Sequence, residues 1–304
     1  MDNTYQLTEH INHYKEIGNT KINREECIQL LDNIDTSDVQ QFLLRMNNIE
    51  ITKLYNKYFD EYSFSLNRFL KLHTLYSEDK ISTSDQNTFK ECVERYNISS
   101  DENLNNYKEM YLEYIVPSIS KDKFILASVN GIHKIQYDDL ILWKDIIMNH
   151  PNTVLLFTVY YSHEGIAKIK EFFGKNFESR IYFMYNVKKI EHLNRLRYID
   201  CVIDTTRYGA HTCCGDVIWA GVPLVTLCGE KVESRVCSSM LKAANLDELI
   251  TYSKEEYKNT IEKLIKDTNF YNKIKIKVEN SRETKLFDRK YYVNNLCELY
   301  KSTL

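Results

Sequence analysis

The stretch Asp204-Thr205-Thr206-Arg207-Tyr208-Gly209-Ala210-His211-Thr212-Cys213-Cys214-Gly215-Asp216 concentrates more usable chemistry than any other part of the sequence. A β-branched apolar run ends at Asp204, a loop of small residues follows, and a helix is expected to begin near Thr212 or Cys213. The first N–H groups of a helix have no intrahelical partner and carry its positive dipole end, so they form a cradle for an anion. His211 and Thr212 add side-chain donors there, and Asp216, one turn in, can accept from vicinal hydroxyls as ribose-binding carboxylates do. On residue types alone a second reading stays open. Thr212 then merely caps the helix, His211 satisfies a loop carbonyl and Asp216 complements the dipole.

Two further groups could serve the same anion. Lys134, in Asn130-Gly131-Ile132-His133-Lys134 just past an apolar run, could neutralise a phosphate oxygen, or it is an ordinary solvated lysine. Lys189, His192 and Arg195 are spaced by three, which puts them on one side of a short helix, either as ligand contacts or as a basic solvated face. The neighbours Cys213 and Cys214 at a helix start could have lowered pKa values, which leaves redox sensing open. There is no Gly-x-Gly-x-x-Gly, no P-loop and no His-Glu-x-x-His, so a dinucleotide oxidoreductase, an NTPase and a zincin lose support. The eight cysteines show no zinc spacing and read as packed thiols.

Positioning these groups requires a framework, and the sequence contains two different ones. Residues 1–116 carry 12 Lys/Arg against 20 Asp/Glu and a single glycine, whereas the remainder carries 28 against 23 and all three prolines. A modestly basic half of this kind suits a small anion better than a nucleic-acid backbone. Residues 1–116 follow helical spacing, as in Phe42-Leu43-Met46-Ile49 and Leu66-Phe69-Leu70-Leu72, with breaks at Thr36 to Asp38, Ser82 to Asp85 and Ser99 to Asp101. Residues 117–304 alternate short apolar runs (Phe124 to Val129, Thr153 to Val159, Arg180 to Tyr185, Cys201 to Asp204, Pro223 to Leu227) with amphipathic segments, the pattern of βαβ units and a parallel sheet. The expected fold is α/β: a Rossmann-like sheet preceded by an all-α N-terminal region. Ligands of such sheets bind beyond the carboxyl ends of the strands. No apolar run approaches the roughly 20 residues that span a bilayer. The opening Met-Asp-Asn-Thr-Tyr-Gln lacks the marks of a secretory signal, so a cytoplasmic or nucleocytoplasmic setting is expected.

Taken together and in order, these motifs resemble the C-terminal catalytic lobe of protein O-GlcNAc transferases, family 41 of the glycosyltransferases, which has the GT-B fold. The resemblance covers about residues 124–300: Asn130 to Lys134, then Lys189, His192 and Arg195, then His211 to Pro223, with Gly229-Glu230, Ser234-Arg235-Val236 and Leu286-Phe287-Asp288 beyond. It implies a metal-independent UDP-sugar site. Pyrophosphate contacts would fall on Lys134, His211, Thr212 and the backbone at Cys213; uracil contacts on Val187, Lys189, His192 and Arg195; the ribose contact on Asp216. Lys134 would stabilise departing UDP, the donor would be UDP-GlcNAc or another UDP-sugar, and the acceptor a protein Ser or Thr. Gly131 and Cys213 depart from the family's Gln and Thr, and the family's other lobe is not recognisable in residues 1–116. The chain is therefore expected either to transfer sugar or to be a binding module that needs a second subunit or copy to complete its cleft. A protein that keeps the fold but binds no UDP is the third reading.

Overall fold

In the computed structural model, residues 21–31, 57–58, 74–94, 109, 112–113, 115–159, 163–185 and 187–303 are described. The chain divides into two compact units, Asp32–Tyr114 and the pair of segments Met1–Leu31 with Ile115–Leu304. The second unit takes in α1 (Arg24–Gln29), which composition groups with the helical region. Ile22 N–H donates to the carbonyl of Arg197, and Arg24 Nε to that of Val116 at 2.7 Å, so this segment is bonded into the α/β unit.

In the helical unit, α2 (Thr83–Glu94) starts where the Ser82 to Asp85 break predicts. The Asp85 carboxylate accepts from Lys57, Ser82 Oγ and Tyr58 OH, which hold its carboxyl down at about 2. The stretches read at Phe42 to Ile49 and Leu66 to Leu72, and the breaks at Thr36 to Asp38 and Ser99 to Asp101, lie outside the described residues.

The α/β unit is built on one parallel sheet. Its strands are β1 (Phe124–Ser128), β2 (Thr153–Val159), β3 (Ile181–Tyr185), β4 (Cys201–Ile203), β5 (Leu224–Leu227) and β6 (Ile250–Thr251). Their spatial order is β3-β2-β1-β4-β5-β6. All seven residues of β2 are buried, as a strand covered by helices on both faces must be. The covering helices are α3 (Tyr137–Asn149), α4 (His163–Phe173), α5 (Lys189–Leu196), α6 (Thr212–Trp219) and α7 (Val236–Ala243). After β6 come α8 (Lys254–Lys266), α9 (Thr268–Asn280) and α10 (Arg289–Thr303).

The chain builds outward from β1 to β3, then returns to lay β4 on the other side of β1, with Ala127 opposite Val202. The loops after β1 and β4 therefore leave in opposite directions and open a crevice between them. This is the topological switch point where doubly wound sheets bind ligands. The expected α/β fold and its five strands are present, each within a residue or two of its reading. β6 was missed because two residues make no apolar run.

Candidate functional site

The crevice is held in shape by buried polar groups. Asp204, at the end of β4, is fully buried, and its carboxylate accepts from Asn130 Nδ2 (2.8 Å), Ala210 N–H (2.7 Å) and Thr226 Oγ (2.6 Å). Burial pushes its carboxyl up, against these hydrogen bonds. Asn130 also donates to Thr205 Oγ at 2.7 Å, so the loops after β1 and β4 are tied directly across the switch point. Asp139, buried in the first turn of α3, accepts from Thr206 N–H and Thr206 Oγ at 3.1 and 2.6 Å. From behind, Trp143 donates to Tyr257 OH, which donates to the Asp204 carbonyl at 2.8 Å. The loop passes so close to this hub that a Cβ on Gly209 would lie 2.9 Å from Asp204 Oδ2.

The loop delivers the chain to α6, which begins at Thr212 as expected. Helix α6 ends in a Schellman motif: Gly221 has φ 74°, and Val222 N–H reaches back to the Val217 carbonyl at 3.1 Å. At its start, His211 Nε2 lies 3.3 Å from the Glu233 carbonyl, which also accepts from Gly209 N–H at 3.0 Å. A carbonyl only accepts, so Nε2 carries the proton, and Nδ1 can donate to an anion only in the imidazolium. Lys134 arrives from the other side of the crevice. Its ammonium donates to the Gly209 carbonyl at 3.2 Å and sits 4.1 Å from the centre of the Tyr208 ring. Thr212 is exposed at the head of the helix. The thiol of Cys213 is raised by burial and by Asp216, more than Lys134 lowers it. This is the opposite of the lowered pKa that redox sensing would use, because a thiol held protonated is a poor nucleophile.

One turn into α6, the buried Asp216 pairs with Lys189 Nζ at 2.5 Å. The expected ribose and uracil residues thus meet directly. Val187 is half-buried in the connection from β3 to α5. His192 accepts at Nδ1 from Arg195 Nη2 at 3.3 Å, since a guanidinium only donates, so its Nε2 is the protonated nitrogen. Burial, then the charges of Arg195 and Lys189, push the imidazole well below its ordinary 6.5. Arg195 itself is not on the open side. It is 1% exposed, and its guanidinium donates to the carbonyls of Tyr185 and Ile115, so it supports His192 and the end of β3 from within. Among the described residues, no group of three or more His, Cys, Asp or Glu is placed to hold a metal ion.

Beyond the ends of β5 and β6 lies an open cavity of about 680 Å³ lined by residues 227–230, Arg235 and residues 252–254. Lys134, Val187, Lys189, His192, His211, Thr212, Cys213 and Asp216 all follow the carboxyl ends of β1, β3 and β4. Asn130, Asp139, Asp204 and Tyr208 hold or flank them; Asn130, Asp204 and Tyr208 lie within stretches read from the sequence, but their roles, like that of Asp139, were not legible because their partners lie far away along the chain or in the loop itself.

A profile described as Glycosyl transferase family 41 matches residues 8–296. The chain belongs to this family. The match extends well before residue 124, into the part whose composition shows no resemblance to it. Among family relatives, a Caenorhabditis elegans UDP-N-acetylglucosamine-peptide N-acetylglucosaminyltransferase is 29% identical over 181 residues, 59% of this chain and 16% of its own length. The Arabidopsis thaliana protein SEC, described as a probable enzyme of the same name, is 29% identical over 219 residues, 65% of this chain and 21% of its own. The chain thus spans about a fifth or less of these relatives. A solved structure of a Thermobaculum terrenum O-GlcNAc transferase mutant superposes with a TM-score of 0.56 at 21% identity, covering 61% of this chain and 36% of that one. That likeness shows the shared GT-B-type fold. No described helix is long and apolar enough to cross a membrane.

Proposed function

We propose that this family 41 chain binds a UDP-sugar in the crevice between the loops after β1 and β4, with UDP-N-acetylglucosamine as the first candidate donor. The observation that carries the reading is the convergence of Lys134, His211 and the start of α6 at the switch point, with the Lys189–Asp216 pair one turn further on. A diphosphate suits the first group and a nucleoside the second. The carboxylate of Asp216 has about four lone-pair sites, so one ammonium does not exhaust it.

Transfer with inversion breaks the bond between C1 of the sugar and the β-phosphate oxygen. A new bond forms to the hydroxyl oxygen of a protein Ser or Thr, whose proton is released. Negative charge grows on the departing UDP, and donors fixed in advance around it lower the barrier most. In this reading Lys134 and the first amides of α6 supply that charge stabilisation, and no metal is called on. Cys213 offers its backbone N–H there, its thiol being a weak donor.

The second reading is a UDP-sugar-binding chain that acts only with a partner subunit or another copy. What favours it is the composition of residues 1–116, acidic and with a single glycine, in which no second nucleotide-binding lobe is recognisable. Calorimetry with UDP and UDP-N-acetylglucosamine, followed by transfer and hydrolysis assays on the intact chain, tests both. Binding with turnover supports the first reading and binding without turnover the second; no UDP binding refutes both.

A further inference from the structure

Tyr208 is an aromatic residue of the crevice that neither the motif spacing nor the family resemblance assigns. Its backbone is fixed on both sides: its carbonyl accepts from Thr205 Oγ at 2.6 Å, and the next two N–H groups bond the Glu233 carbonyl and the Asp204 carboxylate. The ring is 40% exposed, so it borders the open crevice rather than filling the core. One neighbour of the ring is His211, with ring centres 5.1 Å apart and planes 28° from parallel. The Lys134 ammonium lies 4.1 Å from its centre. Two of the three groups assigned to the diphosphate therefore rest on one tyrosine.

We propose that Tyr208 is a positioning residue for Lys134, its ring holding the ammonium at the head of α6 so that a diphosphate meets a cation already in place. A lysine side chain has four rotatable carbons to order, and whatever orders it beforehand removes that cost from binding. The ring face attracts the cation through its quadrupole, and this needs the π-system rather than the phenol oxygen. His211, packed on the same ring, is kept beside the ammonium. The inference rests on the donor-site reading above.

The test is calorimetric titration of the intact chain with UDP and with uridine, on the wild type, Tyr208→Phe, Tyr208→Leu, Lys134→Met and the Tyr208→Leu/Lys134→Met double variant. Tyr208→Phe keeps UDP affinity within about 2-fold, while Tyr208→Leu loses roughly 3- to 10-fold and leaves uridine unchanged. In the Lys134→Met background the leucine makes no further difference beyond about 2-fold, because the interaction it removes is already gone. Should the leucine variant fail to fold, Tyr208→Gln carries the same comparison. An unchanged UDP affinity in Tyr208→Leu, equal losses for UDP and uridine, or the same loss with and without Lys134 each overturns the inference while leaving the donor site standing. A wild type that binds no UDP refutes the donor-site reading and the inference together.

Discussion

Removing the charge of Lys134 is the most direct perturbation of the donor-site reading. In the structure its ammonium is half-buried, bonded to the Gly209 carbonyl at 3.2 Å and seated on the Tyr208 ring. Two unit charges about 4 Å apart near a protein surface attract by about 4 kcal/mol at an effective dielectric constant near 20. Moving the ammonium from a carbonyl to a phosphate forfeits a neutral-acceptor hydrogen bond of about 1 kcal/mol. What remains agrees with the roughly 1.5 to 3 kcal/mol of a charge-assisted hydrogen bond, so Lys134→Ala should weaken UDP binding about 10- to 150-fold. Uridine has no phosphate, and its affinity should change by less than about 2-fold. The salt dependence of UDP binding should flatten in the variant, since one screened charge pair is gone. Calorimetry at two ionic strengths reads all three quantities. Equal losses for UDP and uridine would show that the lysine supports the fold of the loop rather than the phosphate, and the charge argument would be wrong.

Three other perturbations separate the remaining roles. Asp216→Asn should weaken UDP but leave inorganic pyrophosphate unaffected, because an amide has one acceptor oxygen for the ribose hydroxyls; an equal penalty with 2′,3′-dideoxy-UDP would reduce Asp216 to the partner of Lys189. Asp204→Asn turns an acceptor of three hydrogen bonds into one that cannot satisfy them all, at a cost of about 1 to 3 kcal/mol in urea unfolding. Because burial raises the Asp204 carboxyl above its ordinary 3.8, the folded chain holds that proton to higher pH than the unfolded chain. Stability from this group is therefore lost as pH rises through the folded value, and the wild-type advantage over Asp204→Asn should be larger near pH 4 than near pH 7; a constant difference would refute the assignment. His192 has the opposite sign: its pKa is lowered from 6.5, so the unfolded chain takes up a proton that the folded chain refuses. Stability should fall as pH drops below about 6.5, and His192→Gln should blunt that fall in denaturation curves at pH 5 and 7.

The strands were legible because each is a short β-branched or aromatic run closed by polar or small residues, and burial on both faces makes such runs continuous. The head of α6 was legible for a similar reason, with small residues, a histidine and a threonine converging just after a strand. Arg195 shows where spacing misleads. Intervals of three place it with Lys189 and His192, but burial along α5 follows depth: Leu193, Asn194, Arg195 and Leu196 are all buried, whereas Lys189, Ile190 and His192 are half-exposed. The helix runs inward, so its last turn is interior on every side. Asn130, Asp139 and Asp204 show the converse. Asn130 begins the Asn130 to Lys134 motif and Asp139 lies in the first turn of α3, but no local pattern marks their partners, Asp204 and Thr206, 74 and 67 residues away.

These hidden residues also bear on how the chemistry is achieved. Stabilising charge on a leaving diphosphate depends less on the number of donors than on their being fixed before the charge appears. In this chain the residues that would face the diphosphate are half-buried or exposed, and two of them, Lys134 and His211, end on loop carbonyls that a diphosphate can replace. The residues that fix the loop, Asp139 and Asp204, are fully buried and bonded through short contacts to two strands and the start of α3. The exchangeable contacts are therefore carried on a frame that does not have to move. A frame of polar rather than apolar side chains suits this task, since a hydrogen bond fixes the direction of a loop where apolar packing fixes only its depth. The glycine at 209 completes it: any side chain there would push against Asp204 and carry the Lys134 acceptor carbonyl out of place.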